Sequence, residues 1–128
     1  MKHKYNGTYQ QEYLDRVAFP LGGIGAGMIA LEGTGALSHV STRHQLNFFN
    51  EPNMFAALCV KGKTNTARVL EGPVPTWKVF GPGGTGNGAH GKNYGLSRCS
   101  RATFNARFPF ATVRLDDDEL PVAVKITG

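Results

Sequence analysis

Hydrophobic and polar positions along this chain form short alternating or continuous runs, which is the pattern of β-strands. Residues 28–31 and 36–41 are apolar-rich and flank a Glu-Gly-Thr-Gly connection at 32–35, typical of a β-hairpin. At 121–127, Val122, Val124 and Ile126 fall on one face of a further predicted strand. No long segment has an apolar period of 3.6 residues. The sequence therefore predicts an all-β protein, a sandwich or a barrel of short strands.

The middle of the chain adds a second predicted hairpin. Residues 54–60 are almost continuously apolar, which predicts a strand covered on both faces, and residues 64–70 are its expected partner. Cys59 and Cys99 both lie in apolar segments, so we expect two buried free thiols rather than a disulfide. A short helical turn is expected at 12–16.

Two more strands are predicted toward the carboxyl end. Residues 102–107 alternate, Phe-Pro-Phe at 108–110 breaks the strand, and a second strand follows at 111–115. The acidic run at 116–119 is expected to be a solvated turn. Residues 72–95 show neither period, and their glycine-rich part at 80–88 predicts a loop. Trp77 in this region is interpreted as a packing anchor.

Composition narrows the class of protein. The 128 residues fit one domain, and 41% hydrophobic content with no bilayer-length apolar run excludes a disordered or membrane-spanning chain. The formal net charge is +5, but the basic residues are scattered, so we expect a solvated surface and no nucleic-acid partner. Residues 1–10 are polar and lack a signal-peptide core, which predicts a cytoplasmic protein.

Two glycine-rich stretches partly match nucleotide-binding motifs. Gly25, Gly27 and Ala30 fit G-x-G-x-x-A, but Pro20 interrupts the preceding strand and Gly33 disfavours the helix that the motif requires. Residues 86–93 nearly form a P-loop, with Asn in place of the magnesium-binding Ser or Thr. A nucleotide-binding protein is therefore only a third hypothesis, and tight turns with positive φ explain the first glycines better.

Metal-ligand spacing is missing as well. His39, His44 and His90 form no zinc pattern with the cysteines, and residues 116–119 lack the EF-hand spacing. We predict no metal and no cofactor.

A longer motif carries a family resemblance. Residues 17–28 read Val-Ala-Phe-Pro-Leu-Gly-Gly-Ile-Gly-Ala-Gly-Met. This is similar to a motif of glycoside hydrolase family 116, which includes the non-lysosomal glucosylceramidases, also called bile-acid β-glucosidases. In that family a strand, a glycine turn and an Asn-x-Pro element follow; here these are residues 29–37 and Asn50-Glu51-Pro52. Residues 106–111 and 120–122 look like the family's later strand pair, so the resemblance extends over residues 5–128.

The resemblance implies a retaining β-glucosidase with two domains, a β-sandwich followed by a barrel of paired helices. The glutamate nucleophile and the aspartate acid/base then lie in the helical domain, so no catalytic residue is predicted within residues 1–128. The expected partners are this helical domain and the β-glucoside substrate of the whole enzyme. We expect the chain to be the leading part of an incomplete sandwich domain, because its last strand has no closing turn. We expect it to be inactive alone, because the resemblance implies that both catalytic carboxylates lie outside it.

One segment departs from the family pattern. Residues 41–47 read Ser-Thr-Arg-His-Gln-Leu-Asn, where many members carry an aromatic–acidic pair. Because Arg43, His44 and Asn50 are polar residues among apolar strands, we expect them to face the pocket or the helical domain. A simple turn formed by Asn50 and Pro52 is the alternative.

The competing function is a free-standing β-sandwich module that binds carbohydrate or another partner. Such modules usually expose a platform of aromatic side chains, and Trp77 and the four tyrosines are the candidates here.

Overall fold

The structure is a computed structural model, and it describes residues 3–23, 25–43, 45–47, 50–62, 65–80 and 94–128. Most of the ordered elements are strands, joined by a 3-10 helix at Gln11–Leu14 and a short helix α1 at Thr76–Phe80. The strands are β1 (Tyr9–Gln10), β2 (Ala18–Leu21), β3 (Gly27–Glu32), β4 (Leu37–Thr42), β5 (Ala57–Val60), β6 (Thr66–Val69), β7 (Arg101–Arg107), β8 (Phe110–Asp116) and β9 (Val124–Thr127).

The strands form three antiparallel sheets. One has four strands in the order β1-β7-β8-β9, one has three in the order β2-β3-β4, and β5 pairs with β6. The all-β prediction is confirmed, and so are the predicted hairpins β3–β4 and β5–β6. The strands predicted at 102–107 and 111–115 are β7 and β8, which pair with each other as a further hairpin.

A single hydrophobic core lies between the four-stranded sheet and the two smaller sheets. On β7 and β8 the buried side chains alternate with half-buried or exposed ones, and Phe104 stands opposite Val113 in the register. The facing layer supplies Phe19 and Leu31, and the Phe19 and Phe104 ring centroids are 6.3 Å apart. Two layers that bury their inner faces against each other make a sandwich, in which each buried large side chain contributes about 1.5–3 kcal/mol.

The glycines of the partial dinucleotide motif serve a turn. Gly25 and Gly27 have φ values of 80° and 102°, in the left-handed region that favours glycine. The strand β3 follows directly where a dinucleotide site needs a helix. The structure therefore contradicts the nucleotide-binding interpretation of this motif; the P-loop-like residues 86–93 lie outside the described residues.

Strand β5 is exposed on one face, which corrects two predictions. Leu58 and Val60 are half-buried, whereas Ala57 and Cys59 are exposed, so the strand is not covered on both faces. The reason is that β5 and β6 form a two-stranded sheet whose inner side alone packs on the core. Both thiols are free as predicted, but only Cys99 is buried.

Two element boundaries also differ from the prediction. β9 begins at Val124, so Val122 lies outside the strand and is exposed. Pro121 has no N–H to donate to a ladder, which agrees with its position outside the strand. Helix α1 was not predicted, because five residues are too few to show a helical period.

Candidate functional site

Three charged side chains meet in the interior at the end of strand β3. The Lys78 ammonium Nζ lies 2.6 Å from Glu32 Oε1 and 2.7 Å from Glu51 Oε1. The three side chains are only 5%, 10% and 8% exposed, respectively. Burying charges is costly unless they are paired, so this group, which we call the Lys78 cluster, is held together by strong ionic hydrogen bonds.

Local structure positions each member of the cluster. Glu32 ends β3 just before the hairpin turn, in which its N–H bonds to the Ala36 carbonyl at 2.9 Å. Glu51 follows Asn50, which is tied to β4 through two bonds with Val40, one from its side-chain amide and one to its carbonyl oxygen. Helix α1 carries Lys78 inward.

A tyrosine extends the Lys78 cluster. Tyr94 donates its hydroxyl proton to Glu51 Oε2 over 2.9 Å. Burial, followed by this bond to a carboxylate, raises the pKa of Tyr94 well above its ordinary range. The hydroxyl therefore remains protonated and keeps donating at any physiological pH.

A second ion pair lies beside the Lys78 cluster. Arg98 Nε contacts Glu71 Oε2 at 3.0 Å, and both side chains are largely buried. Burial raises the pKa of Glu71, and the Arg98 guanidinium offsets part of that rise. The Glu32 and Lys78 charges also act on Glu71, so the two groups are electrostatically connected.

The Lys78 cluster superficially resembles a glycosidase carboxylate pair. Glu32 Oε1 and Glu51 Oε1 both contact Lys78 Nζ. The distance between these two oxygens therefore cannot exceed the sum of their distances to that nitrogen. Retaining glycosidases use two carboxyl groups about 5 Å apart across the scissile bond. Here, however, the Lys78 ammonium fills the space between them and the side chains are buried. The arrangement binds a cation of the chain itself and leaves no room for a sugar.

A cleft of about 660 Å³, with both polar and apolar lining residues, opens between the 3-10 helix, the segment before α1 and the start of β7. Gln10, Glu12, Asp15 and Arg101 are among its lining residues. Trp77 is not one of them: its indole N–H donates to the Asp15 carbonyl at 2.9 Å, and the Arg16 guanidinium lies 4.4 Å from the ring centroid. These contacts agree with a packing role for Trp77.

Two of the three predicted site residues, Arg43 and Asn50, lie at the surface. Arg43 is exposed directly after β4 and has a φ of 52°, and Asn50 is exposed while holding β4 through its bonds to Val40. His44 lies outside the described residues. The bonds of Asn50 support the turn interpretation, and a pocket-facing role for these three residues stays a prediction.

The Lys78 cluster could not be identified from the sequence. Its members are far apart in the chain, and the only local signal was a lysine within the Trp-Lys-Val-Phe stretch at 77–80. A lysine in an otherwise apolar run calls for a buried counter-ion.

A comparison with protein families decides the assignment. A family model described as beta-glucosidase 2, glycosyl-hydrolase family 116 N-term matches residues 18–128. The chain belongs to glycoside hydrolase family 116. The match covers strands β2 to β9 and confirms the resemblance found in residues 17–28. A comparison with curated proteins found no match.

The described part of this family 116 domain contains no helix long and apolar enough to cross a membrane. Within the same residues, no group of three or more His, Cys, Asp or Glu side chains is placed to hold a metal ion.

Proposed function

We propose that the chain is a non-catalytic part of the amino-terminal sandwich domain of a retaining β-glucosidase. In this proposal it packs against and supports a helical-barrel catalytic domain of the same enzyme, which binds the β-glucoside and needs no cofactor. The match of residues 18–128 to the amino-terminal domain of family 116 carries the proposal. A cytoplasmic location stays a prediction.

The ion pairs that several carboxylates form within the chain support a non-catalytic role. Lys78 binds Glu32 and Glu51, Arg98 binds Glu71, and Arg68 binds Asp117. A glycosidase needs one protonated carboxyl that reaches the leaving oxygen and a second carboxylate that faces the anomeric carbon. Carboxylates held by internal cations are unsuited to either task.

The test uses the complete enzyme with Glu51→Gln. We expect kcat per folded molecule to stay within about twofold of wild type, because general acid–base groups contribute about 10²–10⁴-fold and Glu51 is not one of them. The melting temperature should fall, because Lys78 loses one of its two partners. Asp118→Asn, at an exposed pair with Arg101, is the matched control for removing a carboxylate. A loss of kcat by a hundredfold or more in folded enzyme would contradict the proposal.

The alternative is a carbohydrate-binding module, and the cleft beside the 3-10 helix is the observation that favours it. Amide, carboxylate and guanidinium groups suit sugar hydroxyls, yet none of the described residues that line the cleft is aromatic. Titration of the chain with glucose or cellobiose tests it: chemical-shift changes at Gln10, Glu12 and Arg101 would support this alternative, and we expect none.

A further inference from the structure

The outer face of the four-stranded sheet brings two positive charges together. Arg114 on β8 and Lys125 on β9 stand directly opposite each other in the register, and both side chains are exposed. Neither forms an ion pair with a carboxylate in the part of the chain that the structure describes. Opposed residues have Cβ atoms about 5 Å apart, and like charges at such positions destabilise a sheet. An anion bound to these two residues, which we call the positive pair, would relieve the repulsion.

Neutral polar groups and an aromatic ring follow the positive pair along the same face, toward the β7–β8 turn. Thr112 stands opposite Thr127 on one side and opposite Asn105 on the other. Hydroxyl and amide groups both donate and accept hydrogen bonds. Two residues further along β8, Phe110 is 62% exposed. Hydroxyls, an amide and an exposed ring are the groups that bind sugars, and here they adjoin a site for an anion.

A further positive charge lies at the turn end of this face. Arg107 stands opposite Phe110, and its guanidinium donates to the carbonyl oxygens of Ala106 and Asn6. Neither acceptor carries a formal charge, so the positive charge of Arg107 stays unneutralised by these bonds. At the strand rise of about 3.3 Å per residue, the row of Phe110 is about 13 Å from the positive pair. Two cationic positions so far apart fit a ligand that repeats its negative charges along a chain.

The other end of the face is electrically balanced. Beyond the positive pair, Asp116 stands opposite Arg101, and Arg101 is paired with Asp118. A negatively charged ligand is therefore favoured between the positive pair and the turn, and not in the opposite direction.

We propose that this face binds a uronic-acid oligosaccharide, a chain of sugars that each carry a carboxylate. The positive pair binds one carboxylate, for which the planar Arg114 guanidinium is suited because it can donate two parallel hydrogen bonds. Arg107 binds a second carboxylate, and Thr112 and Thr127 bind sugar hydroxyls. The apolar side of a sugar ring packs on Phe110. The site goes beyond the proposed function, since it takes no part in catalysis and lies apart from the cleft beside the 3-10 helix.

Other anionic partners fit the face less well. A single phosphate ion would use the positive pair and leave Arg107 and Phe110 without a role. An anionic membrane requires an apolar surface that enters the lipid together with basic residues around it. Here Asn105 and two threonines occupy the centre of the face.

Calorimetric titration of the complete enzyme with trigalacturonate tests the proposal. We expect binding that weakens as salt is added, because the ionic contacts are exposed to solvent. Arg114→Gln and Lys125→Gln should each weaken the binding about tenfold, since each removes a charge-assisted hydrogen bond. Lys61→Gln, at an exposed lysine next to β5 of the two-stranded sheet, is the matched control and should leave the affinity unchanged.

The melting temperature separates loss of the site from loss of the fold. Removing one of two opposed like charges should leave the melting temperature of the complete enzyme unchanged or slightly higher. A clear fall in Arg114→Gln or Lys125→Gln would contradict the proposal, because the residue would then have a counter-ion elsewhere in the enzyme.

Four binding results would overturn the proposal. They are no binding of trigalacturonate at millimolar concentration, equal binding of the uncharged cellotriose, equal binding of inorganic phosphate, and affinity that does not change in Arg114→Gln and Lys125→Gln. Binding of phosphatidylserine vesicles without binding of trigalacturonate would identify a membrane surface instead. None of these measurements depends on kcat of Glu51→Gln, so failure of this inference and failure of the proposed function can be told apart.

Discussion

Gly27 shows at the scale of one residue why the family motif contains so many glycines. Its φ is 102°, and a Cβ placed on it would lie 2.3 Å from the Ser41 carbonyl oxygen of the neighbouring strand. That atom belongs to the backbone and cannot move without disturbing the β3–β4 pairing. Gly23, in the same motif, would meet nothing within 4 Å.

We therefore expect Gly27→Ala to destabilise the protein by at least about 2 kcal/mol, through backbone strain and a steric clash. Gly23→Ala should change the free energy of unfolding by no more than about 0.5 kcal/mol. Urea unfolding of the two variants measures both. Equal effects would show that the β2–β3 turn does not have the described conformation.

Lys78 is the residue on which the buried carboxylates depend. Lys78→Met keeps much of the side-chain length but leaves Glu32 and Glu51 without their cation, and removing one partner from a buried ion pair costs about 3–5 kcal/mol. Adding Glu32→Gln and Glu51→Gln to Lys78→Met should recover part of the loss, because no uncompensated charge then remains. Chemical denaturation of the single and triple variants checks this, and a single variant as stable as wild type would disprove the ionic role.

Asp117 predicts how stability depends on pH. The hydrogen bond from Arg68, with backbone N–H bonds from Glu119 and Ser100, lowers the pKa of Asp117 below its ordinary value. Because the folded-state pKa is the lower one, the stabilisation is present above the ordinary carboxyl pKa and is lost as the pH falls through the folded-state value.

The stability difference between wild type and Asp117→Asn should therefore be largest near neutral pH and shrink as the pH falls below about 4. Denaturation at a series of pH values measures the difference. Asp116→Asn, whose exposed side chain is the neighbour of Asp117, serves as the control. A difference that stays constant with pH would rule out the ionised Asp117 as its source.

At the scale of elements, hairpins were predictable because alternation and turn residues are local. The β3–β4 hairpin follows from glycine at 33 and 35, and strand β7 follows from the regular alternation at 102–107. The exposure of Cys59 was not predictable, because it depends on β5 and β6 forming a separate small sheet. The apolar run at 54–60 shows that these residues are hydrophobic, but it does not show how many faces of the strand are covered.

Alanine substitutions in the loop after β4 of the complete enzyme test the role of the predicted site residues. If Arg43 faces the pocket, Arg43→Ala should lower kcat/KM several-fold while the melting temperature stays the same, because the side chain is exposed. If His44 also faces the pocket, His44→Ala should likewise lower kcat/KM. Asn50→Ala is the informative contrast, because it removes the bond to the Val40 carbonyl and should lower stability by about 1 kcal/mol. Unaltered kcat/KM in Arg43→Ala and His44→Ala would refute the pocket-facing role.

At the scale of the whole molecule, the family could be predicted from the sequence but the Lys78 cluster could not. The motif at 17–28 is contiguous, and the family match confirmed it. The Lys78 cluster joins a strand end, a loop and a short helix, so it exists only once the sandwich has formed. Pairing over such sequence separations leaves no local pattern.

The division of labour between the sandwich and the catalytic domain is tested most directly by covalent labelling. A glucose epoxide that esterifies the nucleophile of retaining β-glucosidases is incubated with the complete enzyme and, in parallel, with the 128-residue chain, and the labelled peptides are mapped. We predict one label per complete enzyme, on a glutamate outside residues 1–128, and no label on the chain alone. Stoichiometric labelling of Glu32, Glu51 or any other carboxylate between Glu12 and Glu119 would contradict the account.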